Sequence, residues 1–90
     1  MAVVEREAEI VNPLGLHARP SAEFVKLAAQ FRAEVYLSKD GMEVNGKSIM
    51  GVMTLAAECG SRLRIRTDGE DADAAAEALA ALVAKGFSES

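Results

Sequence analysis

Tryptophan is absent from this chain, and cysteine and histidine occur once each, as Cys59 and His17. Aromatic residues make up only 4% of the sequence, so a core must be assembled from Ala, Val, Leu, Ile and Met. A lone cysteine excludes an internal disulfide and suits a reducing compartment; Cys59 is expected to be a small core residue. One imidazole and one thiol cannot make a zinc-type ligand set, so no metal is expected, and no cofactor either. With no second histidine and no Ser/His/Asp set, a self-contained hydrolase is not supported. No apolar run approaches the roughly 18 residues of a membrane span, so no membrane association is expected. The opening Met1-Ala2-Val3-Val4-Glu5-Arg6 lacks a charged stretch followed by an apolar one. No secretory signal is therefore expected, and the cytoplasm is the expected location. Basic charge is also in short supply. The net charge is -4, which weighs against nucleic acid as a partner.

What is present fits one domain of 90 residues, with one modest core. Val4 to Ile10 alternates, with Val4, Ala8 and Ile10 opposite Glu5, Glu7 and Glu9, as a half-buried strand does. Asn12-Pro13-Leu14-Gly15 breaks it with turn residues. A helix is predicted over 18–31, its stripe formed by Ala22, Val25, Ala28 and Ala29 with Phe24, Leu27 and Phe31. Pro20 belongs in the first turn, where a missing N–H costs nothing. Ala33, Val35 and Leu37 mark a second strand, and Asp40-Gly41 signals a hairpin into a short return strand at Met42–Asn45. Ser48 caps a short helix to about residue 55, with Ile49, Val52 and Leu55 inward and Met50 and Met53 outward. Leu63 and Ile65 face in from a last strand while Arg62, Arg64 and Arg66 face solvent, offset by Glu5, Glu7, Glu9 and Glu34 across the sheet. Asp71 caps a final helix that Gly86 ends, and residues 87–90 are expected to fray. The order βαββαβα predicts an α+β open-faced β-sandwich. A four-stranded, mostly antiparallel sheet is covered on one face by three helices.

Gly15-Leu16-His17-Ala18-Arg19-Pro20 lies where a loop becomes a helix. A helix start leaves backbone N–H groups without intrahelical acceptors, and it favours anions. Arg19 adds a guanidinium fork suited to phosphate oxygens. A neutral imidazole placed there has a lone pair able to attack phosphorus, so nucleophile and anion cradle fall within a few residues. A histidine at a helix start is also commonly an ordinary surface or capping residue. On these residues alone both readings stand.

The stretch Leu14-Gly15-Leu16-His17-Ala18-Arg19-Pro20-Ser21-Ala22 resembles the active-site signature of HPr, the histidine-containing phosphocarrier of the bacterial phosphotransferase system. Phe24-Val25-Lys26 follows at the family's spacing, and Asn45-Gly46-Lys47-Ser48-Ile49-Met50 resembles its second signature. Two separated motifs are far more specific than either one.

The resemblance implies that His17 is phosphorylated on Nδ1 by Enzyme I and donates to an Enzyme IIA domain, with Arg19 beside it. It implies that Ser48 matches a serine phosphorylated in some bacteria by an HPr serine kinase. A serine there is also an N-cap, worth about 1 kcal/mol. Ala18, Ala22, Ile49, Met50 and Met53 form the expected docking patch, since exposed methionines make adaptable contacts. A monomer is expected. Ala29 and Gly51 stand where several sugar-transport members carry lysines, and the wording around Ser48 resembles the nitrogen-related NPr branch. The alternative is thus a regulatory HPr-like protein that acts by partner binding rather than by sugar uptake.

Overall fold

The computed structural model describes residues 2–88. Four strands, β1 (Ala2–Glu9), β2 (Glu34–Lys39), β3 (Met42–Asn45) and β4 (Arg62–Gly69), form one sheet in the order β1-β4-β2-β3. All three pairings are antiparallel. Three helices, α1 (Ala18–Ala28), α2 (Ile49–Thr54) and α3 (Ala72–Ala84), are followed by a short left-handed turn over Gly86–Ser88. The open-faced α+β sandwich is therefore observed, and every strand pair in it is antiparallel.

Alternation sets the faces. Val35 and Leu37 of β2 and Leu63 and Ile65 of β4 are buried beneath the helices, joined by Phe24, Leu79, Val83 and Ile10. On the bare face Arg62 meets Glu7 at 3.4 Å and Glu9 at 3.8 Å, and Arg64 meets Glu7 at 3.4 Å. Arg66 instead bonds Glu43 of β3 at 3.0 Å and lies 4.1 Å above the Tyr36 ring. Its guanidinium pKa is raised, chiefly by that bond to Glu43. Asp40 (φ +51) and Gly41 (φ +84) are both left-handed, which is the tight hairpin that Asp-Gly favours.

Five expectations are corrected. Helix α1 stops at Ala28, not Phe31, and Ala29 is exposed rather than part of the buried stripe. Gln30 and Phe31 donate to Leu27 and Ala28 in tightened turns, and the Phe31 carbonyl accepts from Lys47 Nζ at 2.8 Å. Asp71 stands at the N-cap position of α3, but its side chain makes no cap bond. It reaches across to accept the backbone N–H groups of Arg32 (2.9 Å) and Ala33 (2.8 Å) instead. These bonds, that from Arg32 first, hold its carboxyl below the ordinary aspartate range. Cys59 is exposed, because it lies in the turn before β4 rather than on a buried face. Phe87 is not frayed: Gly86 (φ +69) reverses the chain after α3 and returns the ring to the core at 2% exposure. Glu89 and Ser90 lie outside the described residues.

Ile49 is the fifth correction. It is 43% exposed, whereas Val52 and Leu55 are buried. Helix α2 has only six residues, and its first side chain points past the core edge.

Candidate functional site

The loop between β1 and α1 is built around a turn. Asn12 is polar yet only 2% exposed. Its carbonyl accepts from Gly15 N–H at 3.1 Å, and its side-chain Nδ2 donates back to the Gly15 carbonyl at 2.8 Å. The same carbonyl accepts the backbone N–H of His17 at 3.0 Å. Gly15 has φ +69 and presses against the backbone of Ala57 and Glu58, so a side chain has no room there. Leu16 donates to the Ala57 carbonyl at 2.9 Å, and Ala57 follows Ala56, a left-handed residue with φ +49. Ser21, fully buried, donates its hydroxyl to the Leu16 carbonyl at 3.1 Å. The loop is thus tied on one side to the segment that follows α2 and on the other to α1.

His17 is the N-cap of α1, with extended backbone (φ -76, ψ -169) and a half-buried side chain. Its carbonyl accepts the first helical bond from Ser21 N–H at 3.1 Å. The N–H groups of Ala18 and Arg19 precede any i-4 acceptor, and Pro20 has none to give. No acidic residue stands in this first turn to compete for them. The Arg19 side chain is exposed. Imidazole, two backbone donors and a guanidinium therefore share one helix start, an arrangement able to receive and hold a tetrahedral oxyanion.

Helix α2 packs beside α1. Ser48 caps it as expected, its Oγ accepting from Gly51 N–H at 3.1 Å. The helix carries no charged residue, and Met50 (81% exposed) and Met53 (41%) stand out from it with Ile49. Ala18 is exposed and Ala22 half-buried on the neighbouring helix. The expected docking residues therefore occupy two adjoining helices.

Sequence reasoning missed Asn12, Ser21 and the Gly15–Ala57 contact. The Asn-Pro-Leu-Gly turn marked the place of the first, but nothing local shows that its amide is turned inward to clamp the loop.

The family model for the phosphorylation site of the HPr component of the phosphotransferase system matches residues 4–85. The chain is 48% identical over 87 residues to the phosphocarrier protein HPr of Cupriavidus necator, covering 97% of this chain and 98% of that one. It is 46% identical over 81 residues to the HPr-like protein Crh of Bacillus subtilis, covering 90% and 95%. Its fold matches the crystal structure of HPr from Bacillus anthracis with a TM-score of 0.87 at 48% identity, over 92% of this chain and 99% of that one. A crystal structure described as an HPr dimer, from Thermoanaerobacter tengcongensis, matches with a TM-score of 0.77 at 42% identity, over 90% and 93%. A matched phosphorylation-site signature, relatives similar over nearly the whole chain and a shared open-faced sandwich lead to one statement: the chain belongs to the HPr family of phosphocarrier proteins of the phosphotransferase system.

Proposed function

We propose that His17 accepts a phosphoryl group from Enzyme I and passes it to an Enzyme IIA domain. What carries this reading is the placing of His17 at the start of α1, with the N–H groups of Ala18 and Arg19 and the Arg19 side chain beside it. In the transfer, an imidazole nitrogen lone pair forms the N–P bond. The bond from phosphorus to the donor breaks, and its electron pair stays with the donor. The phosphoryl oxygens then bear charge next to backbone donors and a guanidinium, which favour it at no cost in reorganisation. The second transfer reverses these roles toward the acceptor.

Docking falls to the uncharged surface of α2, with Met50, Met53 and Ile49, together with Ala18 and Ala22. Ser48 supplies a place for regulation by a serine kinase. Phosphorylation there puts about two negative charges on a surface that has none and repels an acidic partner. The exposed methionines also suit a second reading, a regulatory HPr-like protein that binds partners without turnover. We take the working state to be a monomer in the cytoplasm. The outer strand β1 alternates Glu5, Glu7 and Glu9, and charges on an edge strand oppose pairing with another chain.

The test is an intact mass. After incubation with phosphoenolpyruvate and Enzyme I, the protein is expected to gain one acid-labile phosphoryl group. No mass gain, with binding to Enzyme I intact, favours the regulatory reading.

A further inference from the structure

Three supports meet the loop that carries His17. Two have been described: the Ala57 carbonyl beneath Leu16, and Ser21 beneath the Leu16 carbonyl. The third comes from the far end of the chain. Gly86 lies against Val11 and Asn12: a Cβ built on it would stand 3.3 Å from Val11 Cγ2, 3.7 Å from Asn12 Cβ and 3.8 Å from the Asn12 nitrogen. Gly86 is itself buried, so it forms a wall beside Asn12.

The backbone that holds this wall in place is unusual. Gly86 (φ +69), Phe87 (φ +58) and Ser88 (φ +60) are consecutive left-handed residues. Glycine adopts this region freely, but a bulky aromatic residue rarely does, and such a conformation persists only where its surroundings over-determine it. Burial of the Phe87 ring in the core supplies that constraint. Strained backbone of this kind concentrates where a functional element must be held in one position.

We infer that the turn Gly86–Ser88 is a positioning element for the phosphoacceptor loop, acting through Asn12 to set the place of His17. The inference rests on reading His17 as the phosphoacceptor. The route is a chain of contacts. Gly86 borders Asn12; Asn12 Nδ2 donates to the Gly15 carbonyl at 2.8 Å; that carbonyl accepts the His17 N–H at 3.0 Å. Nothing in this route touches α2 or its methionines. Disturbing the turn should therefore alter transfer at His17 and leave docking alone.

The test compares two glycines. Gly86→Ala adds a methyl against Val11 at a left-handed position, so the loop must give by a few tenths of an ångström. Gly41→Ala adds one at φ +84 with nothing within 4 Å, giving the same backbone strain far from the loop. Both variants should melt below wild type. Only Gly86→Ala should transfer slowly, with kcat down about tenfold and KM for Enzyme I unchanged, the scale expected for a small misplacement of a reacting group. Its Leu16 and His17 amides should also exchange with solvent faster than those of Gly41→Ala. Adding Val11→Ala to Gly86→Ala removes the methyl that the new Cβ meets. Transfer should recover while the melting temperature stays low. Should Gly86→Ala not fold, Gly86→Asn, which tolerates the left-handed region, carries the same comparison. Transfer by Gly86→Ala equal to that of Gly41→Ala, or no recovery with Val11→Ala, overturns the inference. A wild-type protein that gains no phosphoryl mass defeats the reading of His17 instead; the amide-exchange comparison needs no transfer and still decides the role of the turn.

Discussion

The bare face of the sheet and the helical surface around His17 treat charge in opposite ways. On the sheet, every arginine of β4 has a carboxylate within 3.4 Å, and Arg66 adds an aromatic ring beneath it. Each of these arginines is already matched by a carboxylate, so that face has little to offer an anion. On the helical side, α2 carries no charge at all, and α1 begins with two backbone donors and an exposed arginine that meet no carboxylate in its first turn. A charge left without an internal partner can respond to a phosphoryl group. An apolar surface left exposed can be covered by a protein. The difference separates a face that is finished in the isolated molecule from one completed by another.

The sharpest way to break this contrast is at its centre. His17→Ala should accept no phosphoryl group from Enzyme I, while its melting temperature stays within a few degrees of wild type, because a half-buried N-cap side chain supports little of the core. Intact mass and a thermal melt read both halves. An acid-labile adduct in the variant would move the chemistry elsewhere.

Arg19→Ala should come next. Each charge-assisted contact to a phosphoryl oxygen is worth roughly 1.5–3 kcal/mol, so transfer should slow by about 10- to 100-fold with stability nearly unchanged. Wild-type rates in both directions would show that the Ala18 and Arg19 N–H groups suffice.

Met53→Lys tests the apolar half of the contrast. It should weaken binding to Enzyme I with little change in melting temperature, and wild-type affinity should depend only weakly on salt, since few charges are screened. A titration at low and high ionic strength decides. Affinity that collapses with salt, alongside a variant that binds normally, would make docking electrostatic.

Asp71→Ala probes what holds the helical layer together. The wild-type carboxyl titrates below the ordinary aspartate range because it accepts two backbone N–H groups as an anion. Its contribution is therefore fully present above the unfolded aspartate pKa and is lost as pH falls through the folded one. The variant should melt lower at neutral pH, and the gap should close toward acid. A gap independent of pH would mean that packing, not the anion, is responsible.

The smallest effect is expected on the bare face. Glu43→Ala should cost less than about 1 kcal/mol, the usual worth of an exposed pair, and should leave phosphoryl transfer unchanged. A transfer defect there would erase the distinction between the two surfaces.

Much of this contrast was legible in the sequence because it is written at short range. Strand alternation placed Leu63 and Ile65 inside and three arginines outside, Asp40-Gly41 placed the hairpin, and Ser48 announced its own cap. His17, Arg19 and Pro20 are neighbours in the chain, so their shared helix start needed no tertiary knowledge. What escaped depends on residues far apart. Asp71 was assigned to its own helix, yet it serves the backbone of Arg32, 39 positions earlier. Arg66 was expected to be offset by Glu5, Glu7, Glu9 and Glu34, yet it pairs with Glu43 of β3. The return of Phe87 to the core depends on space left by other elements, which no local pattern records. Ile49 was misplaced because one residue at the end of a six-residue helix carries no periodicity of its own.

The sheet order β1-β4-β2-β3 bears on how the molecule comes into being. The last strand in the chain lies between two earlier ones, so neither β1 nor β2 has its central neighbour until Arg62–Gly69 has been synthesised. Non-local pairing of this kind closes a long loop before it is rewarded, which slows folding. The loop bearing His17 leaves from β1, and β1 has no other strand to pair with. A nascent chain that already contains His17 and Arg19 therefore lacks the sheet from which their loop leaves. On the function proposed for His17, competence arrives only with the C-terminal third.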